Sequence, residues 1–270
     1  MKEPKYYEVK AEVVSVRELK HNVVTAILRS KEIADKTKPG QFVNIQVNNK
    51  NETVPVLRRP FAVSYTDGDN FEIIFDVVGR GTNILKDMLV VGEQVNVLGP
   101  LGNGFDINVN GKEKLLLAGG VGIAPIKKLM QYFTDKGDQV TLIWGNRDKS
   151  GFFDIDFFMD QNIKIFVATD DGSLGFEGNV LDILKSEIKN NNLKKINDYN
   201  IYVVGPNPMM KAVADYCSEM DHYCQVSLET PMACGIGVCQ GCAVKKKKED
   251  GYYLTCVDGP VFNSCDVEIP

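Results

Sequence analysis

Four cysteines near the C-terminus have the spacing of ligands to an iron-sulfur cluster. Cys234, Cys239 and Cys242 follow the order Cys-x4-Cys-x2-Cys, and Cys256 comes after thirteen further residues. A 2Fe-2S cluster needs four thiolates, and a tight loop that carries three of them lets backbone amides point at the sulfurs and stabilise their negative charge. Three glycines within this loop would let the backbone wrap closely. The spacing therefore predicts an electron-transfer centre with these four cysteines as metal ligands.

Zinc and disulfides are the other possible uses of these cysteines. Structural zinc sites usually have two short cysteine pairs far apart, whereas only Cys239 and Cys242 form such a pair here. Disulfides require an oxidising compartment, but the cysteine count of seven is odd, and the N-terminus is charged where a secretory signal would be apolar. The remaining thiols have no ligand spacing, and we expect them to be small buried or incidental residues: Cys217, Cys224 and Cys265.

Length and charge limit the classes of function. The 270 residues suffice for two domains and an appended module. The net charge of -5 argues against nucleic acid as a partner, because phosphate binding needs a concentrated basic surface. The basic run Lys245–Lys248 indicates a solvated hairpin turn, with a docking contact as the alternative. The longest uncharged apolar stretch, Leu115–Ile126, is too short to span a bilayer. We therefore expect a soluble, cytoplasmic protein.

The first hundred residues show the pattern of a β-barrel. In residues 43–47 apolar side chains alternate with polar ones, which is the period of a half-buried strand. Five similar runs are separated by turn residues: Val9–Val16, Val23–Leu28, Arg59–Tyr65, Phe71–Val78 and Gln94–Leu98. Six such strands predict a small closed antiparallel barrel, with one short helix over Asn83–Met88.

The pattern changes after a predicted linker at Pro100–Gly104, because strands then alternate with helices, which predicts an α/β domain with a parallel sheet. The predicted strands are Leu115–Ala118, Val140–Trp144, Ile163–Ala168 and Ile201–Val204. The predicted helices are Pro125–Phe133, Val180–Ile188 and Pro208–Met220. The fold class is therefore mixed β and α/β, with a barrel at 1–102, a nucleotide-binding α/β domain at 103–222 and a small cysteine module at 223–270.

A glycine-rich turn in the second domain could bind a diphosphate. Gly119, Gly120 and Gly122 lie between an apolar strand and a helix, where backbone amides and the helix dipole can receive phosphate oxygens. The turn departs from the Gly-x-Gly-x-x-Gly pattern of dinucleotide sites. Tight packing is therefore an alternative reason for these glycines.

The barrel contains residues suited to a flavin dinucleotide. Arg59 can pair with a diphosphate, and Gly81 and Thr82 can donate backbone amides to it. The strand backbone near Ser64 could hydrogen-bond an isoalloxazine edge. Each segment, taken alone, could also be a strand with a surface arginine and a glycine turn.

In this order the motifs resemble the ferredoxin-reductase-like flavoproteins across the whole chain. That family has an FAD barrel, an NAD(P) domain and, in some members, an iron-sulfur module. Its Arg-x-Tyr-Ser/Thr motif corresponds to Arg59–Ala62, where Phe61 replaces the tyrosine and Ala62 the hydroxyl residue. The resemblance implies FAD contacts from Arg59, Pro60, Phe61, Ala62, Ser64, Ile74, Phe75, Asp76, Gly81 and Thr82. It implies NAD(H) contacts from Gly119, Gly120, Gly122, Ala124, Pro125, Asp171, Gly205 and Pro206.

Two segments resemble one branch of this superfamily, the electron transfer subunits of type B dihydroorotate dehydrogenase. They are Met232–Cys239 and Cys256–Phe262. The small subunit of NADH-dependent ferredoxin:NADP oxidoreductase is similar but typically has aspartate at the position of Cys234. The resemblance implies an FMN-containing catalytic partner, a heterotetramer with two copies of each chain, and a role in pyrimidine biosynthesis.

The implied activity is an electron relay between the partner's FMN, the cluster, FAD and NAD(H). No acid-base or nucleophilic catalytic residue is expected, and His21 and His222 are interpreted as structural or exposed. The family favours NADH over NADPH, although Arg147 and Lys149 could meet a 2′-phosphate. Two alternatives remain: a small subunit of an NADH-dependent ferredoxin or sulfur-metabolism reductase, and a non-enzymatic electron-carrier module.

Overall fold

A closed barrel forms the N-terminal part of the computed structural model, which describes residues 5–47, 57–109, 112–161 and 163–270. The six barrel strands are antiparallel neighbours in the order β1-β2-β5-β4-β3-β6. They are β1 (Tyr7–Lys20), β2 (Val23–Arg29), β3 (Phe42–Ile45), β4 (Arg59–Asp67), β5 (Asn70–Asp76) and β6 (Gln94–Leu101). Each strand overlaps one of the six predicted runs, so the predicted barrel is confirmed.

Two short helices accompany the barrel. Helix α2 (Arg80–Met88) begins three residues before the predicted start at Asn83, and its Leu85 packs into the barrel core. Helix α1 (Lys31–Lys36) has no counterpart among the sequence predictions. A helix of six residues is too short to show a clear 3.6-residue apolar period.

The predicted linker at Pro100–Gly104 is wrong at its start. Strand β6 continues through Pro100 and Leu101, so these residues belong to the barrel. Leu101 is buried with Phe42 in a small core shared with the cysteine module. Packing of Leu101 against a later segment therefore accompanies strand geometry through Pro100, a residue type that normally interrupts a strand.

The α/β domain is built on a seven-stranded sheet in the order β10-β9-β8-β7-β11-β12-β15. All neighbours are parallel except β12 and β15, which are antiparallel. The strands are β7 (Glu113–Gly119), β8 (Val140–Asn146), β9 (Lys164–Thr169), β10 (Phe176–Glu177), β11 (Tyr199–Val204), β12 (Gln225–Ser227) and β15 (Val261–Asn263). The helices are α3 (Ile123–Asp135), α4 (Ile155–Met159), α5 (Val180–Lys189) and α6 (Asn207–Glu219).

Helices cover both faces of this sheet. One apolar core contains residues from α5 and α6, and the other contains residues from α3 and α4. The four predicted strands and three predicted helices are present, while α4 and β10 are additional. None of the helices in the described part of the chain is long and apolar enough to cross a membrane.

The cysteine module is interwoven with the sheet and docked on the barrel. Strands β12 and β15 extend the sheet beyond the domain boundary expected after residue 222. The rest of the module contains a hairpin of β13 (Ala243–Lys245) and β14 (Tyr252–Leu254). Asn103, which follows the barrel, donates its side-chain amide to the carbonyls of Val257 and Asp258 at 3.0 Å each. These contacts fix the module against both larger domains.

Candidate functional site

The cysteine loop has the backbone geometry of a tight wrap. Gly235 and Gly237 have φ angles of +73° and +84°, a region that disfavours other residues. A Cβ at Gly235 would collide with the side chain of Asn44 in the barrel. A Cβ at Gly241 would meet only an ordinary van der Waals contact. Two of the three loop glycines are therefore required by the fold.

Backbone amides point at the cysteine sulfurs. The Ile236 and Cys239 amides donate to Sγ of Cys234 at 3.5 and 3.4 Å, and the Cys256 amide donates to Sγ of Cys242 at 3.5 Å. Burial raises the pKa of Cys234, but these amides outweigh it and bring the pKa down to about 7. Burial and the neighbouring Cys242 thiol raise the pKa of Cys256 to about 12. The amides thus favour the thiolate form of Cys234, at the start of the loop.

The four cysteines stand in two pairs. Cys234 hydrogen-bonds Cys239, and Cys242 hydrogen-bonds Cys256. Across the described ranges, no three or more Cys, His, Asp or Glu side chains surround a single metal position. Each iron of a 2Fe-2S cluster takes two thiolates besides the bridging sulfides, so two pairs suit a dinuclear cluster better than a single ion. The donor set therefore fits the predicted cluster.

The cysteine loop lies on the outer face of barrel strand β3. Val43 and Ile45 point into the barrel core, so Phe42 and Asn44 point outward, where Phe42 packs against Cys242 and Cys256. The next strand, β4, pairs Ala62 with Phe42 and Pro60 with Asn44. Paired residues share a face of the sheet, and neighbouring strands are about 4.8 Å apart. Pro60 and Ala62, two of the predicted flavin residues of β4, therefore lie on the same face as the cysteine loop.

Arg59 meets the N-terminus of α2. A Cβ at Gly81 would lie 2.5 Å from Nε of Arg59, so only glycine lets the guanidinium approach this backbone. Arg59 Nη1 donates to the Leu57 carbonyl at 2.7 Å, which anchors the side chain. The Thr82 hydroxyl accepts the amides of Val78 and Gly79 at 3.0 and 3.2 Å. A guanidinium beside a helix N-terminus can bind a diphosphate.

The other predicted flavin residues divide between several environments. Phe61 and Phe75 are in the barrel core, whereas Ile74 packs into a core of the α/β domain. The buried Ser64 hydroxyl donates to the carbonyl and to Oε2 of Glu72 at 3.1 and 2.8 Å. The structure thus brings Arg59 together with the start of α2 at Gly81, and it places Pro60 and Ala62 on the outward face of β4.

A cavity of about 830 Å³ opens at the carboxyl ends of the parallel strands. Ligands of open α/β sheets bind at this edge. Five predicted nicotinamide-site residues line the cavity: Gly119, Gly120, Gly122, Gly205 and Pro206. Ala124 and Pro125 are buried in the first turn of α3, and Asp170 lines the cavity where Asp171 was expected. The exposed Asp171 instead accepts hydrogen bonds from Ser173, which lower its pKa.

Both explanations of the glycine turn have support in the structure. A Cβ at Gly122 would lie 2.5 Å from the Val204 carbonyl oxygen, so this glycine is needed for packing. Gly120 has φ +55° and open space around its Cα, and its carbonyl accepts from Nε1 of Trp144 at 3.1 Å. Close packing at Gly122 and open space at Gly120 therefore coexist in one loop.

Sequence reasoning missed several cavity residues. Lys20, Asn146 and Glu229 line the cavity, and the buried amide nitrogen of Asn146 has no partner within the described residues. A signal was available for two of them, because Asn146 ends strand β8 and Glu229 comes just after strand β12, at the ligand-binding edge of the sheet. Lys20 ends barrel strand β1, and only the tertiary fold brings it here.

Two carboxylates face the cavity at its barrel end. Asp76 ends strand β5, and burial raises its pKa, with Lys20 opposing the shift. Glu229 is open to the cavity but surrounded by protein, which raises its pKa, and the charge of Asp76 raises it further. The cavity therefore has a region of negative charge beside the barrel.

The basic run Lys245–Lys248 forms part of the module's own structure. Lys245, Lys246 and Lys248 pair with Glu268, Glu249 and Asp266, and Lys247 donates to the Ser264 carbonyl. His222 contacts the Tyr199 carbonyl at 3.0 Å. The thiols of Cys217 and Cys224 are buried and hydrogen-bond each other, whereas Cys265 is half-buried. Arg147 lines the cavity; Lys149 lies outside its lining.

Comparisons with known proteins agree with this organisation. Residues 229–268 match the iron-sulfur cluster binding domain of dihydroorotate dehydrogenase B, and residues 116–215 match an oxidoreductase NAD-binding domain. The electron transfer subunit of dihydroorotate dehydrogenase B (NAD(+)) from Fusobacterium nucleatum subsp. nucleatum is 42% identical over 235 residues, covering 86% of this chain and 87% of the relative. The corresponding subunit from Desulforamulus reducens is 35% identical, covering 95% of this chain and 97% of the relative.

A solved structure is similar over almost the whole chain. It is that of an NADH-dependent reduced ferredoxin-NADP oxidoreductase involved in flavin-based electron bifurcation. Its TM-score is 0.83 at 30% sequence identity, covering 97% of this chain and 90% of that chain. The predicted ferredoxin-reductase-like architecture is therefore confirmed.

Proposed function

The chain belongs to the family of electron transfer subunits of dihydroorotate dehydrogenase B (NAD(+)), and we propose that its three sites form one electron path between NAD(H) and a partner chain. It is an oxidoreductase subunit that uses FAD, a 2Fe-2S cluster and NAD(H), and it acts with a catalytic subunit in pyrimidine biosynthesis. The predicted family, activity and cofactors are confirmed at this level.

One observation supports the proposed path above all. The cysteine loop packs on β3, and Pro60 and Ala62 lie on the same face of the next strand. A flavin held along β4 would thus be adjacent to the cluster. Electron transfer depends on short separations, so a shared face is the arrangement that a relay requires.

Specific residues have proposed roles in this path. Arg59 and the backbone at Gly81 and Thr82 hold the diphosphate of FAD. The glycine turn at Gly119–Gly122, together with Gly205, receives NAD(H) in the cavity. When bound, a flavin exchanges two electrons with a nicotinamide and passes them singly to an iron-sulfur centre. The protein's contribution is to hold these groups close together and to shield them from water.

The two cysteine pairs have complementary roles in the proposal. Cys242 and Cys256 are 1% and 2% exposed and face the barrel, whereas Cys239 is exposed beside Val238, which is 77% exposed. Cys242 and Cys256 would face the flavin, and the exposed Cys239 would face the catalytic subunit. We propose that this subunit contains FMN and that two copies of each chain assemble into a heterotetramer.

Reconstitution of the complex tests this function. The chain is co-expressed with its catalytic subunit, purified without oxygen, and analysed for iron, FAD and FMN. Dihydroorotate should then reduce NAD⁺, and Cys239→Ser should lose iron and this activity. Cys265→Ser is the matched control, because Cys265 lies outside both pairs, and it should retain both. Full iron content in Cys239→Ser would contradict the proposed ligand set.

A ferredoxin-dependent reaction is the second candidate, and the similarity to the oxidoreductase structure is what favours it. The same purified complex distinguishes the two. Reduction of NAD⁺ by reduced ferredoxin, with no reduction by dihydroorotate, would support this second function.

A further inference from the structure

Asn44 of barrel strand β3 forms a side-chain hydrogen bond to the cysteine loop. It is 0% exposed, and its Nδ2 donates to the carbonyl of Cys234 at 3.5 Å. Its Oδ1 is also buried and has no hydrogen-bond partner within the described ranges. A buried asparagine with one unpaired oxygen is costly to keep, so a stabilising role in the core alone does not explain it.

The loop is shaped around this asparagine. Gly235 follows the carbonyl that Asn44 binds, and a Cβ there would collide with Nδ2. Gly235 also has φ +73°. A glycine at this position therefore allows the Cys234–Gly235 peptide to lie directly on the asparagine amide. The hydrogen bond fixes the orientation of that peptide.

The same peptide begins the turn whose amides reach the sulfur. The amides of Ile236 and Cys239 donate to Sγ of Cys234. Hydrogen bonds to cluster sulfurs stabilise the added negative charge of the reduced cluster and raise its reduction potential. A change in the Cys234–Gly235 peptide would move these donors.

Asn44 also faces the proposed flavin strand. It is paired with Pro60 of β4, and the Arg58 guanidinium donates to its carbonyl at 3.3 Å. A single buried residue thus contacts the cluster loop through its side chain and the flavin strand through its backbone.

We propose that Asn44 is a positioning residue that sets the reduction potential of the cluster relative to the flavin. It does so by holding the Cys234–Gly235 peptide so that the loop amides point at the Cys234 sulfur. This inference deepens the proposed function and depends on the cluster being bound by the four cysteines.

Asn44→Leu tests the proposal because leucine has a similar volume and cannot donate to the Cys234 carbonyl. The matched control is Asn96→Leu, since Asn96 on β6 also has a buried unpaired Oδ1 but donates to Glu8 rather than to the loop. Both variants are compared with the natural chain for iron content, FAD content, the electron paramagnetic resonance spectrum of the reduced cluster, and its midpoint potential.

We expect Asn44→Leu to retain FAD and to show a changed resonance spectrum and a more negative cluster potential. The equilibrium between flavin and cluster should move toward the flavin by about tenfold, which is about 59 mV for a one-electron couple. Asn96→Leu should match the natural chain in both measurements.

Other outcomes would show whether the role of Asn44 or the electron relay itself is wrong. An unchanged potential and spectrum in Asn44→Leu, or equal shifts in both variants, would overturn the role of Asn44 while leaving the relay intact. Absence of a cluster from the natural chain would overturn the proposed function itself. If Asn44→Leu loses its cluster, Asn44→Ala decides, because alanine removes the amide donor without adding bulk beside Gly235: a bound cluster at unchanged potential would refute the proposal, and one at lowered potential would support it.

Discussion

Lys127 and Glu72 form a buried ion pair between the two large domains. Nζ of Lys127 lies 2.8 Å from Oε2 of Glu72, with side chains 6% and 9% exposed. Lys127 belongs to α3, which follows the glycine turn of the cavity, and Glu72 belongs to barrel strand β5. Glu72 also accepts from the hydroxyls of Thr25 and Ser64. One carboxylate of β5 therefore links Ser64 of β4, the proposed flavin strand, to α3, the helix that follows the glycine turn.

Lys127→Met should destabilise the fold by about 3–5 kcal/mol, because it leaves the carboxylate of Glu72 buried without a counter-charge. The double variant Glu72→Gln/Lys127→Met should recover much of this loss, since neither remaining group is charged. Urea unfolding of all the single and double variants measures the effect. A double variant less stable than Lys127→Met would contradict this account of the pair.

The buried Lys128 should make the free energy of unfolding rise at alkaline pH. Its Nζ donates to the Thr66 hydroxyl, and burial lowers its pKa from 10.5 to about 8, with Asp135 opposing the shift. Below pH 8 both the folded and unfolded states bind this proton, so the full penalty of burying the charge is present. Between pH 8 and 10.5 the unfolded state binds more protons, and this contribution to stability rises with pH.

Lys128→Met should remove that penalty. At pH 7 the variant should be more stable than the natural chain by up to about 3 kcal/mol, given about 1.36 kcal/mol per pKa unit. The gain should shrink between pH 8 and 10.5. Denaturant midpoints of both chains across this range measure the difference, and a gain that stays constant with pH would show that the charge of Lys128 is not its cause.

Gly81→Ala should weaken FAD binding, because the new Cβ would lie 2.5 Å from Nε of Arg59 and displace the guanidinium. Loss of a charged hydrogen-bonding group from a diphosphate corresponds to about 1.5–3 kcal/mol, or roughly 10–100-fold in affinity. Gly79→Ala is the control, since a Cβ at Gly79 would meet no atom within 4 Å beyond its chain neighbours and its backbone is extended. Equal FAD affinity in both variants would argue against Arg59 at the diphosphate.

The sequence could predict those parts of the site whose residues lie close together along the chain. The cysteine loop is local, so its spacing alone indicated the ligand type. The alternation of residues 43–47 identified Asn44 as outward-facing, but nothing in the sequence shows what covers that face. Strand periodicity also places Phe61 on the same side as Val63, in the barrel core, which the motif resemblance did not consider.

Contacts between distant segments could not be predicted in this way. Lys20 and Glu229 reach one cavity from opposite ends of the chain, and each follows or ends a strand without a local motif. The packing of the glycine turn has the same origin, because the place of Gly122 depends on the Val204 carbonyl, which lies far away in the sequence. The sheet order that joins these segments is set by long-range strand pairing.

Asp76 and Glu229 should favour NAD⁺ over NADH at neutral pH. Asp76 ends a barrel strand, so the nicotinamide that must reach the flavin would lie at this end of the cavity. The oxidised ring carries a positive charge and the reduced ring is neutral. The pKa values of both carboxyls are raised, so their full negative charge is present only above those raised pKa values. Affinity for NAD⁺ should therefore rise with pH as these two carboxyls lose their protons, while affinity for NADH stays nearly constant.

Asp76→Asn and Glu229→Gln should each lower affinity for NAD⁺ roughly fivefold, about 1 kcal/mol, with little effect on NADH. Titration calorimetry of both nucleotides at several pH values measures the ratio. Lys20, Arg147, Asp148 and Asp170 are the other charged residues of the cavity lining, and Asp170→Asn is the control because it follows β9, away from the barrel end. It should leave the NAD⁺/NADH ratio unchanged. If Asp170→Asn alters this ratio as much as Asp76→Asn does, the preference comes from the overall charge of the cavity and not from its barrel end.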